Sequence, residues 1–327
     1  MKLALIGMGS IGMLFASRLM PTTELRCFAI THRAAQAAAL NEKGLVVQDA
    51  DGHKRRCPCP AVPLAEWNGA ADWGLVFVKQ PHLPDLLRRL REKPSQPARF
   101  LLFQNGLGHL ESVAAVFPEK PLYAAVTTEG ALRVDDTTVC HTGQGITWLG
   151  AVRDDGRSAD AAGRAQLEQL AALLGSQGLD VRITEQIRER MWEKWVINCA
   201  INPLTGVMSV QNGMLAETPH LRDLALEAAE EAVRVARVCG VMLDGEAMGQ
   251  KVLEVCEKTA LNRSSMLQDL LHHRETEIEA LNGLLIRLAA ERGVEVPVNR
   301  VIYRLLKAAE TVRTKRFVRE SVNDGGE

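Results

Sequence analysis

The feature that most constrains the fold is the glycine motif GMGSIG at residues 7–12, which follows an apolar run. Residues 3–6 (LALI) predict a short strand and residues 10–20 suit a helix, so the motif would form the turn between them. Glycines at positions 7, 9 and 12 permit that tight turn and let backbone N–H groups approach a pyrophosphate at the helix N-terminus. This context favours a dinucleotide site over a chance glycine-rich loop.

Length and composition narrow the class of protein. A chain of 327 residues exceeds what one hydrophobic core usually supports, so we expect two domains. The formal net charge of −1 gives no support to a nucleic-acid or anionic-membrane partner. No apolar stretch reaches the roughly 18 residues that a membrane span requires. An alternative for the N-terminal segment is a signal peptide, because Lys2 precedes an apolar run, but the glycine spacing favours the nucleotide site.

The seven cysteines argue against a disulfide framework and against a structural metal. Their number is odd, and Cys57 and Cys59 form a single C-P-C with no second pair to complete a zinc site. We therefore expect reduced thiols in a cytoplasmic protein without a bound metal.

The first part of the chain alternates between strand and helix patterns. A helix is predicted at 34–42, a hairpin with Asp51-Gly52 at its turn at 45–56, and strands at 25–30, 74–79, 100–106 and 122–127. This alternation predicts a parallel sheet covered on both faces, a Rossmann-type doubly wound sheet. From Glu185 onward the pattern is almost entirely helical. The predicted fold is therefore α/β, with a Rossmann-type nucleotide domain at 1–184 and an all-α substrate and catalytic domain at 185–327.

Polar residues after the predicted strands indicate how a nucleotide would be bound. An NAD enzyme offers Asp or Glu to the ribose hydroxyls after its second strand, whereas this chain has Thr31, His32 and Arg33. Because arginine can bind a 2′-phosphate, NADP is expected rather than NAD; the alternative is a solvated Arg33 at a helix start. Lys79 and Asn105 follow two further strands, where doubly wound sheets bind ligands, although each alone is more typical of a surface lysine or a turn.

A second polar signal lies in the helical part, in MWEKWVINCAINPLTG at residues 191–206. Lys194, Asn198 and Asn202 recur every four residues among apolar neighbours, so a helix would place them on one face. Buried polar groups are costly without partners, so a bound ligand explains them better than a surface lysine and two helix caps. Because Pro203 disfavours helical geometry at the preceding residue, we expect the helix to end or kink at Asn202.

Taken together, these motifs resemble the ketopantoate reductase family, in the group similar to 6-phosphogluconate dehydrogenase. The resemblance covers nearly the whole chain and is most specific at K-x3-N-x3-N-P-L-T (194–205), SSMLQD (264–269) and TEIEALNG (276–283). It implies NADPH-dependent reduction of 2-dehydropantoate to (R)-pantoate on the route to pantothenate and coenzyme A. The chain would then be an NADP-dependent oxidoreductase acting on CH–OH groups.

The resemblance also implies roles for individual residues. The residues that would bind the cofactor are Gly7, Met8, Gly9, Ser10, Ile11, Gly12, Arg33, Lys79, Asn105, Ala131 and Glu277. Those that would bind the substrate are Asn105, Asn198, Asn202, Asn212 and Ser265. Lys194 would be the general acid, because reduction of a ketone creates negative charge on oxygen and burial lowers a lysine pKa toward the working pH.

Two functional alternatives and one geometric question stay open from the sequence. Asn and Ser contacts do not specify one substrate side chain, so the close alternative is a reductase of another small 2-oxo acid. The other alternative is a non-catalytic NADPH-sensing protein. The presence of both Lys194 and Glu277 counts against it, because a sensor needs no proton donor. Ser265 and Glu277 would lie about 18 Å apart along an unbroken helix, so either the helix breaks, as we expect, or Glu277 serves the cofactor side. The long helices also offer surfaces for a homodimer.

Overall fold

The computed structural model describes residues 1–22, 25–49, 51–152 and 161–323, and the chain divides into two compact units. The first unit comprises Met1–Gln104 and Gly108–Arg190, and the second comprises Asn105–Leu107 and Met191–Glu327. The first unit is α/β and the second is helical, which confirms the predicted fold class. The domain limits 1–184 and 185–327 stay predictions. None of the helices in the described ranges is long and apolar enough to cross a membrane.

The strands belong to the first unit. They are β1 (Lys2–Ile6), β2 (Arg26–Thr31), β3 (Leu45–Gln48), β4 (Lys54–Cys57), β5 (Ala61–Pro63), β6 (Trp73–Val76), β7 (Arg99–Leu102), β8 (Leu122–Thr127), β9 (Gly130–Arg133), β10 (Thr138–Gly143), β11 (Ile146–Ala151) and β12 (Asp180–Ile183).

The helices are shared between the units. They are α1 (Ser10–Leu19), α2 (Ala34–Lys43), α3 (Leu83–Arg91), α4 (His109–Val116), α5 (Ala161–Ser176), α6 (Ile187–Met208), α7 (Gly213–Glu217), α8 (Pro219–Val238), α9 (Gly245–Lys258), α10 (Ser265–Leu271), α11 (Leu284–Glu291) and α12 (Pro297–Asn323). A 3₁₀ turn at Gln80–His82 precedes α3, and a π-helical turn at Glu279–Gly283 precedes α11.

In the main sheet of the first unit, successive strands are added first on one side of β1 and then on the other. Among the described residues it has eight strands in the order β12-β11-β8-β7-β6-β1-β2-β5, and β1 pairs in parallel with both β2 and β6. The chain first builds outward through β2 and β5, then returns to the other side of β1 with β6, β7 and β8. Ligands of doubly wound sheets bind at such a switch point, beyond the carboxyl ends of the strands. Here that point is the end of β1 and β6.

Both faces of this sheet are covered, as its sequence pattern predicts. Leu3 and Leu5 of β1 pack into a core cluster with residues of α1 and α5, whereas Ala4 and Ile6 pack into a second cluster with residues of α3 and α4. Successive side chains of a strand point to opposite faces, so an uninterrupted apolar run indicates burial on both.

A smaller sheet carries the predicted hairpin. In the described part of the chain its strand order is β4-β3-β10-β9, and β3 pairs antiparallel with β4 around Gly52, which has a φ of 86°. The predicted hairpin at 45–56 is therefore confirmed. Strand β10 pairs in parallel with β3 and antiparallel with β9, so β9 lies at the edge of this sheet.

Helix α6 continues through Pro203 to Met208, so of the two predicted outcomes an end at Asn202 is wrong, and a kink there stays a prediction. A proline inside a helix has no N–H for the carbonyl four residues earlier, which here belongs to Cys199. Asn282 supplies the missing donor, because its Nδ2 lies 3.0 Å from the Cys199 carbonyl oxygen. Asn282 is fully buried in the π-helical turn and also donates to Asn299 Oδ1 at 2.8 Å. The helix therefore persists because a distant side chain completes its hydrogen bonding.

The helix that begins at Ser265 ends before Glu277, as predicted. Helix α10 begins after Ser264, whose Oγ accepts from the backbone N–H of Leu267 at 3.1 Å, and it ends at Leu271. His273 then adopts a positive φ of 52°, a left-handed conformation that a helix cannot contain. Glu277 thus lies on a separate segment.

The role of Asn282 can be tested by coupling it to Pro203. Asn282→Ala should lower the free energy of unfolding by about 1–3 kcal/mol, because the buried Cys199 carbonyl loses its donor. In a Pro203→Ala background, residue 203 regains an N–H, so the same substitution should cost less. Chemical denaturation of the four proteins measures this coupling.

Asn41→Ala is the matched control, because Asn41 also hydrogen-bonds a distant backbone, donating to the Ala61 carbonyl at 2.8 Å. It should cost the same in both backgrounds. Equal costs of Asn282→Ala in both backgrounds would contradict the explanation.

Candidate functional site

The three glycines of the first βα turn differ in what surrounds them. Gly7 has a φ of 101°, and a Cβ there would lie 2.8 Å from Val78 Cγ1, after β6. A Cβ on Gly12 would lie 2.0 Å from the carbonyl oxygen of Gly7. Apart from its own neighbours in the chain, no described residue comes within 4 Å of a Cβ built on Gly9. Gly7 and Gly12 are therefore required by close packing, and Gly9 leaves the backbone open to a ligand.

The glycine loop is supported by side chains from other elements. Gln36 of α2 donates from Nε2 to the carbonyl of Met8 at 3.0 Å, and Ser10 Oγ accepts from the backbone N–H of Arg133 at 3.0 Å. The first turn of α1 has no acidic residue. A fixed helix N-terminus without a competing carboxylate suits an anionic group such as a phosphate.

Arg33 lies at the N-cap position of α2, directly after β2. Its guanidinium pairs with the carboxylate of Asp136, which also pairs with Arg133. Arg33 is thus at the strand end where the sequence predicts it. The acidic partner from the turn after β9 was not predicted, since only pairing of distant segments brings it there.

The other predicted cofactor residues of the first unit lie after β6 and on β9. Lys79 is partly buried and precedes the 3₁₀ turn after β6. Ala131 lies on β9 opposite His141 of β10. His141 Nε2 is 2.7 Å from Glu129 Oε2, so the loop before β9 is fixed by a largely buried pair.

The polar row of the second unit lies on α6, so Lys194, Asn198 and Asn202 do share a helix. Trp192 and Trp195 flank Lys194 and are both buried, with ring centroids 5.1 Å apart. Trp195 Nε1 donates to the carbonyl of Ala280 at 3.1 Å, which fixes the ring against the π-helical turn. The row is therefore set in a tightly packed surface rather than on a solvated face.

Two opposing effects act on the ammonium group of Lys194. Burial lowers its pKa from 10.5 to about 8, and the negative charge of Glu277 acts in the opposite direction. As a whole residue, Lys194 is only partly buried. A lysine with a pKa of about 8 can donate and recover a proton near neutral pH, which a lysine at 10.5 does far less readily.

Helix α10 contacts the C-terminal end of the Lys194–Asn198–Asn202 row. Asn202 is buried, and its Nδ2 lies 3.5 Å from Ser265 Oγ. The hydroxyls of Thr205 and Ser264 are 2.7 Å apart, so α6 is fixed to the start of α10 beside this contact. The structure therefore brings together two of the predicted substrate residues.

Glu277 and Asn105 form a second predicted pair. The Asn105 side chain donates from Nδ2 to Glu277 Oε2 at 3.3 Å, and Glu277 is buried. Next to Glu277, the hydroxyl of Thr276 donates to Glu310 Oε1 of α12 at 2.6 Å. Glu310 thus positions the segment that carries Glu277. Sequence reasoning missed Glu310, because no motif marks it.

Asn212 binds the end of α9 and the loop that follows it. Its Nδ2 donates to Thr259 Oγ1 at 2.9 Å, and its backbone N–H donates to the carbonyl of Asn262 at 3.0 Å. Its Oδ1 is buried and accepts no hydrogen bond from the described residues. Asn212 thus presents a buried acceptor.

Comparisons with known proteins bear on this arrangement. Residues 3–154 match the model described as ketopantoate reductase PanE/ApbA, and residues 186–310 match the one described as ketopantoate reductase PanE/ApbA C terminal. The 2-dehydropantoate 2-reductase of Bacillus subtilis is 31% identical over 97% of this chain and 100% of its own. The chain belongs to the ketopantoate reductase family. Membership makes it an oxidoreductase.

The chain is also similar to a relative from a second organism and to the structure of a dehydrogenase with a different name. The 2-dehydropantoate 2-reductase of Archaeoglobus fulgidus is 34% identical over 85% of this chain and 88% of its own. A structure of D-mandelate dehydrogenase with NADH and anilino(oxo)acetate is 25% identical, with a TM-score of 0.87 over 96% of this chain and 100% of the other. The ketopantoate reductase fold therefore also occurs in a dehydrogenase with a different name and ligand.

The pKa of Lys194 predicts a stability cost that depends on pH. Since that pKa is lowered, the unfolded chain binds more protons than the folded chain between pH 8 and 10.5. The cost is therefore fully present below pH 8 and disappears toward pH 10.5. Lys194→Met should raise the free energy of unfolding at pH 7 by up to about 3 kcal/mol, with a gain that shrinks across this window.

Denaturant unfolding at several pH values measures this gain. Lys251→Met is the matched control, since Lys251 pairs with Glu193 at 2.8 Å and its loss should not stabilise the protein. A Lys194→Met protein that is less stable at pH 7 would contradict the assigned cost.

Proposed function

We propose that this family member catalyses the NADPH-dependent reduction of 2-dehydropantoate to (R)-pantoate, in the cytoplasm, on the route to pantothenate and coenzyme A. The observation that carries the proposal is Lys194, a lysine with a pKa of about 8 in a row with Asn198 and Asn202. The names of the Bacillus subtilis and Archaeoglobus fulgidus relatives support the substrate. The seven free cysteines are consistent with a reducing compartment.

The first unit fits a nicotinamide dinucleotide. Its glycine loop leaves the backbone open at Gly9 and presents the N-terminus of α1, which suits the pyrophosphate. Arg33 after β2 supports a 2′-phosphate and hence NADPH, although the D-mandelate dehydrogenase structure contains NADH. Lys79 and Ala131 complete the proposed cofactor contacts of this unit. Bound NADPH would supply the hydride for the ketone carbon.

Lys194 would place a proton on the carbonyl oxygen as that carbon is reduced. Its ammonium form both stabilises the negative charge that develops on oxygen and provides the proton of the product hydroxyl. Glu277 opposes the loss of that proton, because its negative charge raises the Lys194 pKa against the effect of burial. Together they keep the acid charged near neutral pH yet able to transfer its proton.

The remaining polar groups would orient the substrate. Asn198, Asn202 and Ser265 offer amide and hydroxyl groups beside the proton donor, which suits the carboxylate of a 2-oxo acid. The buried Oδ1 of Asn212 can accept a hydrogen bond from a substrate hydroxyl, and Asn105 would contact both substrate and cofactor. Each of these groups is neutral, so they bind the acid without titrating with it.

A reductase of another small 2-oxo acid is the second candidate. The D-mandelate dehydrogenase structure supports it, with a TM-score of 0.87 against 0.78 for the structure of a probable 2-dehydropantoate 2-reductase from Bacillus subtilis. Its anilino(oxo)acetate ligand carries an aromatic ring where ketopantoate carries a branched hydroxyalkyl group. Asparagine and serine contacts would serve the shared 2-oxo acid part of both.

Oxidation of NADPH with ketopantoate and a panel of 2-oxo acids separates these candidates. Ketopantoate should have the highest kcat/KM. Lys194→Ala should lower turnover by about 10²–10⁴-fold while NADPH binding persists, because the proton donor is lost and the nucleotide contacts are not. Lys251→Ala, a lysine substitution on α9, should leave turnover intact. Turnover retained in Lys194→Ala would exclude its role as the acid.

The pH dependence of kcat/KM tests the pairing of Lys194 with Glu277. Because the acid must be protonated, kcat/KM should fall as pH rises above about 8. Glu277→Gln removes the charge that raises the Lys194 pKa, so the fall should begin at a lower pH. Glu279→Gln, at an exposed carboxylate nearby in the chain, should leave the inflection in place. An unchanged inflection in Glu277→Gln would contradict the assigned coupling.

A further inference from the structure

Three charged side chains, those of Arg33, Arg133 and Asp136, meet near the end of β2. The family resemblance assigns a role to Arg33 but none to Arg133 or Asp136. The guanidinium groups of Arg33 and Arg133 both donate to the same oxygen of Asp136, Oδ1. The side chains are 52%, 26% and 30% exposed, respectively, so a solute can reach them. Two guanidiniums and one carboxylate leave one positive charge in excess.

The cluster is built into the glycine-loop region rather than lying free on the surface. The backbone N–H of Arg133 donates to Ser10 Oγ at 3.0 Å, in the first turn of α1. Gln36 donates from one Nε2 both to the Met8 carbonyl at 3.0 Å and to the Asp136 carbonyl at 3.3 Å. The end of β9, which carries Arg133, and the following turn, which carries Asp136, are therefore each attached by a hydrogen bond to the glycine-loop region.

The position of the cluster matches the part of a dinucleotide site that reads the adenosine ribose. The residue after the second strand contacts the ribose 2′ position, as a carboxylate for a hydroxyl or as an arginine for a phosphate. This chain has both chemistries at that place, from two segments: Arg33 follows β2, and Asp136 arrives from the turn after β9. A 2′-phosphate would compete with Asp136 for the same guanidinium donors, since both are oxyanions.

We propose that Arg133 is a second determinant of 2′-phosphate recognition alongside Arg33, and that Asp136 sets its strength by competing for both guanidiniums. The inference rests on the proposed NADPH site. Arg133 adds a second fork of donors for the phosphate oxygens. Asp136 orients the two arginines, and its charge opposes entry of a dianion. The preference for 2′-phosphorylated nucleotides therefore depends on a residue that itself binds no phosphate.

Isothermal titration of the full chain with 2′,5′-ADP and with 5′-AMP tests this, because the two probes differ only in the 2′-phosphate. Arg133→Ala and Arg33→Ala should each weaken 2′,5′-ADP by about tenfold and change 5′-AMP by less than about twofold. Arg133→Lys, which keeps the charge but loses the fork, should fall between Arg133→Ala and the unmodified chain. Asp136→Asn should tighten 2′,5′-ADP by about threefold and leave 5′-AMP unchanged.

The matched controls are Asp180→Asn and Arg182→Ala, which remove the same charges from an exposed pair on β12, at the opposite edge of the sheet. They should leave both probes unaffected. Equal losses of both probes in Arg133→Ala, or weaker binding of 2′,5′-ADP in Asp136→Asn, would overturn the inference.

The outcome is separable from that of the proposed function, because neither probe contains a nicotinamide. Discrimination through both arginines in a chain that reduces no 2-oxo acid would support the inference and overturn the proposed activity. If the chain reduces ketopantoate but its Arg133→Ala variant still distinguishes the two probes fully, the proposed activity is supported and the inference about Arg133 is overturned.

Discussion

The hydrogen bond from Asn282 to the Cys199 carbonyl is the interaction on which the helical site depends. Pro203 removes the donor that this carbonyl would otherwise have, four residues after Cys199 and one residue after Asn202. Without a substitute donor, a buried carbonyl would favour a helix that ends there, and Asn202 would leave the row. The fully buried Asn282 makes a continuous helix compatible with proline. The π-helical turn that holds Asn282 also accepts the indole N–H of Trp195 through Ala280.

The charge balance at Lys194 is a second consequence of this packing. Burial withdraws the ammonium group from water, which lowers its pKa to about 8. Glu277 limits that effect, and its own position depends on Thr276 and Glu310. The same packing that destabilises its charge makes it a better acid near neutral pH.

Much of the α/β half could be predicted because its signals are local. The two faces of β1 pack into separate apolar clusters. Close packing requires glycine at positions 7 and 12 of the motif, and Asp51-Gly52 predicts a hairpin turn. The break after Ser265 was also expected, because an unbroken helix would separate Ser265 and Glu277 by about 18 Å, too far for the shared site that the family resemblance implies. A helix end at Asn202, one of the two outcomes predicted, is wrong, since the rule for proline considers only its neighbours in the chain. The donor that overrides the rule is 79 residues beyond Pro203, at Asn282.

The sequence by itself determined the alternation of strands and helices in the first part of the chain, the place of the nucleotide motif and the polar row on α6, because each depends on residues within a few turns of one another. It also carried enough family-specific residues to indicate ketopantoate reductases. Only the tertiary structure decided the Asn282 donor, the support of Glu277 by Glu310, and the meeting of Arg33 and Arg133 at Asp136. Each of these joins segments far apart in the chain, and no periodicity or motif encodes which distant side chain will complete a hydrogen bond or share a charge.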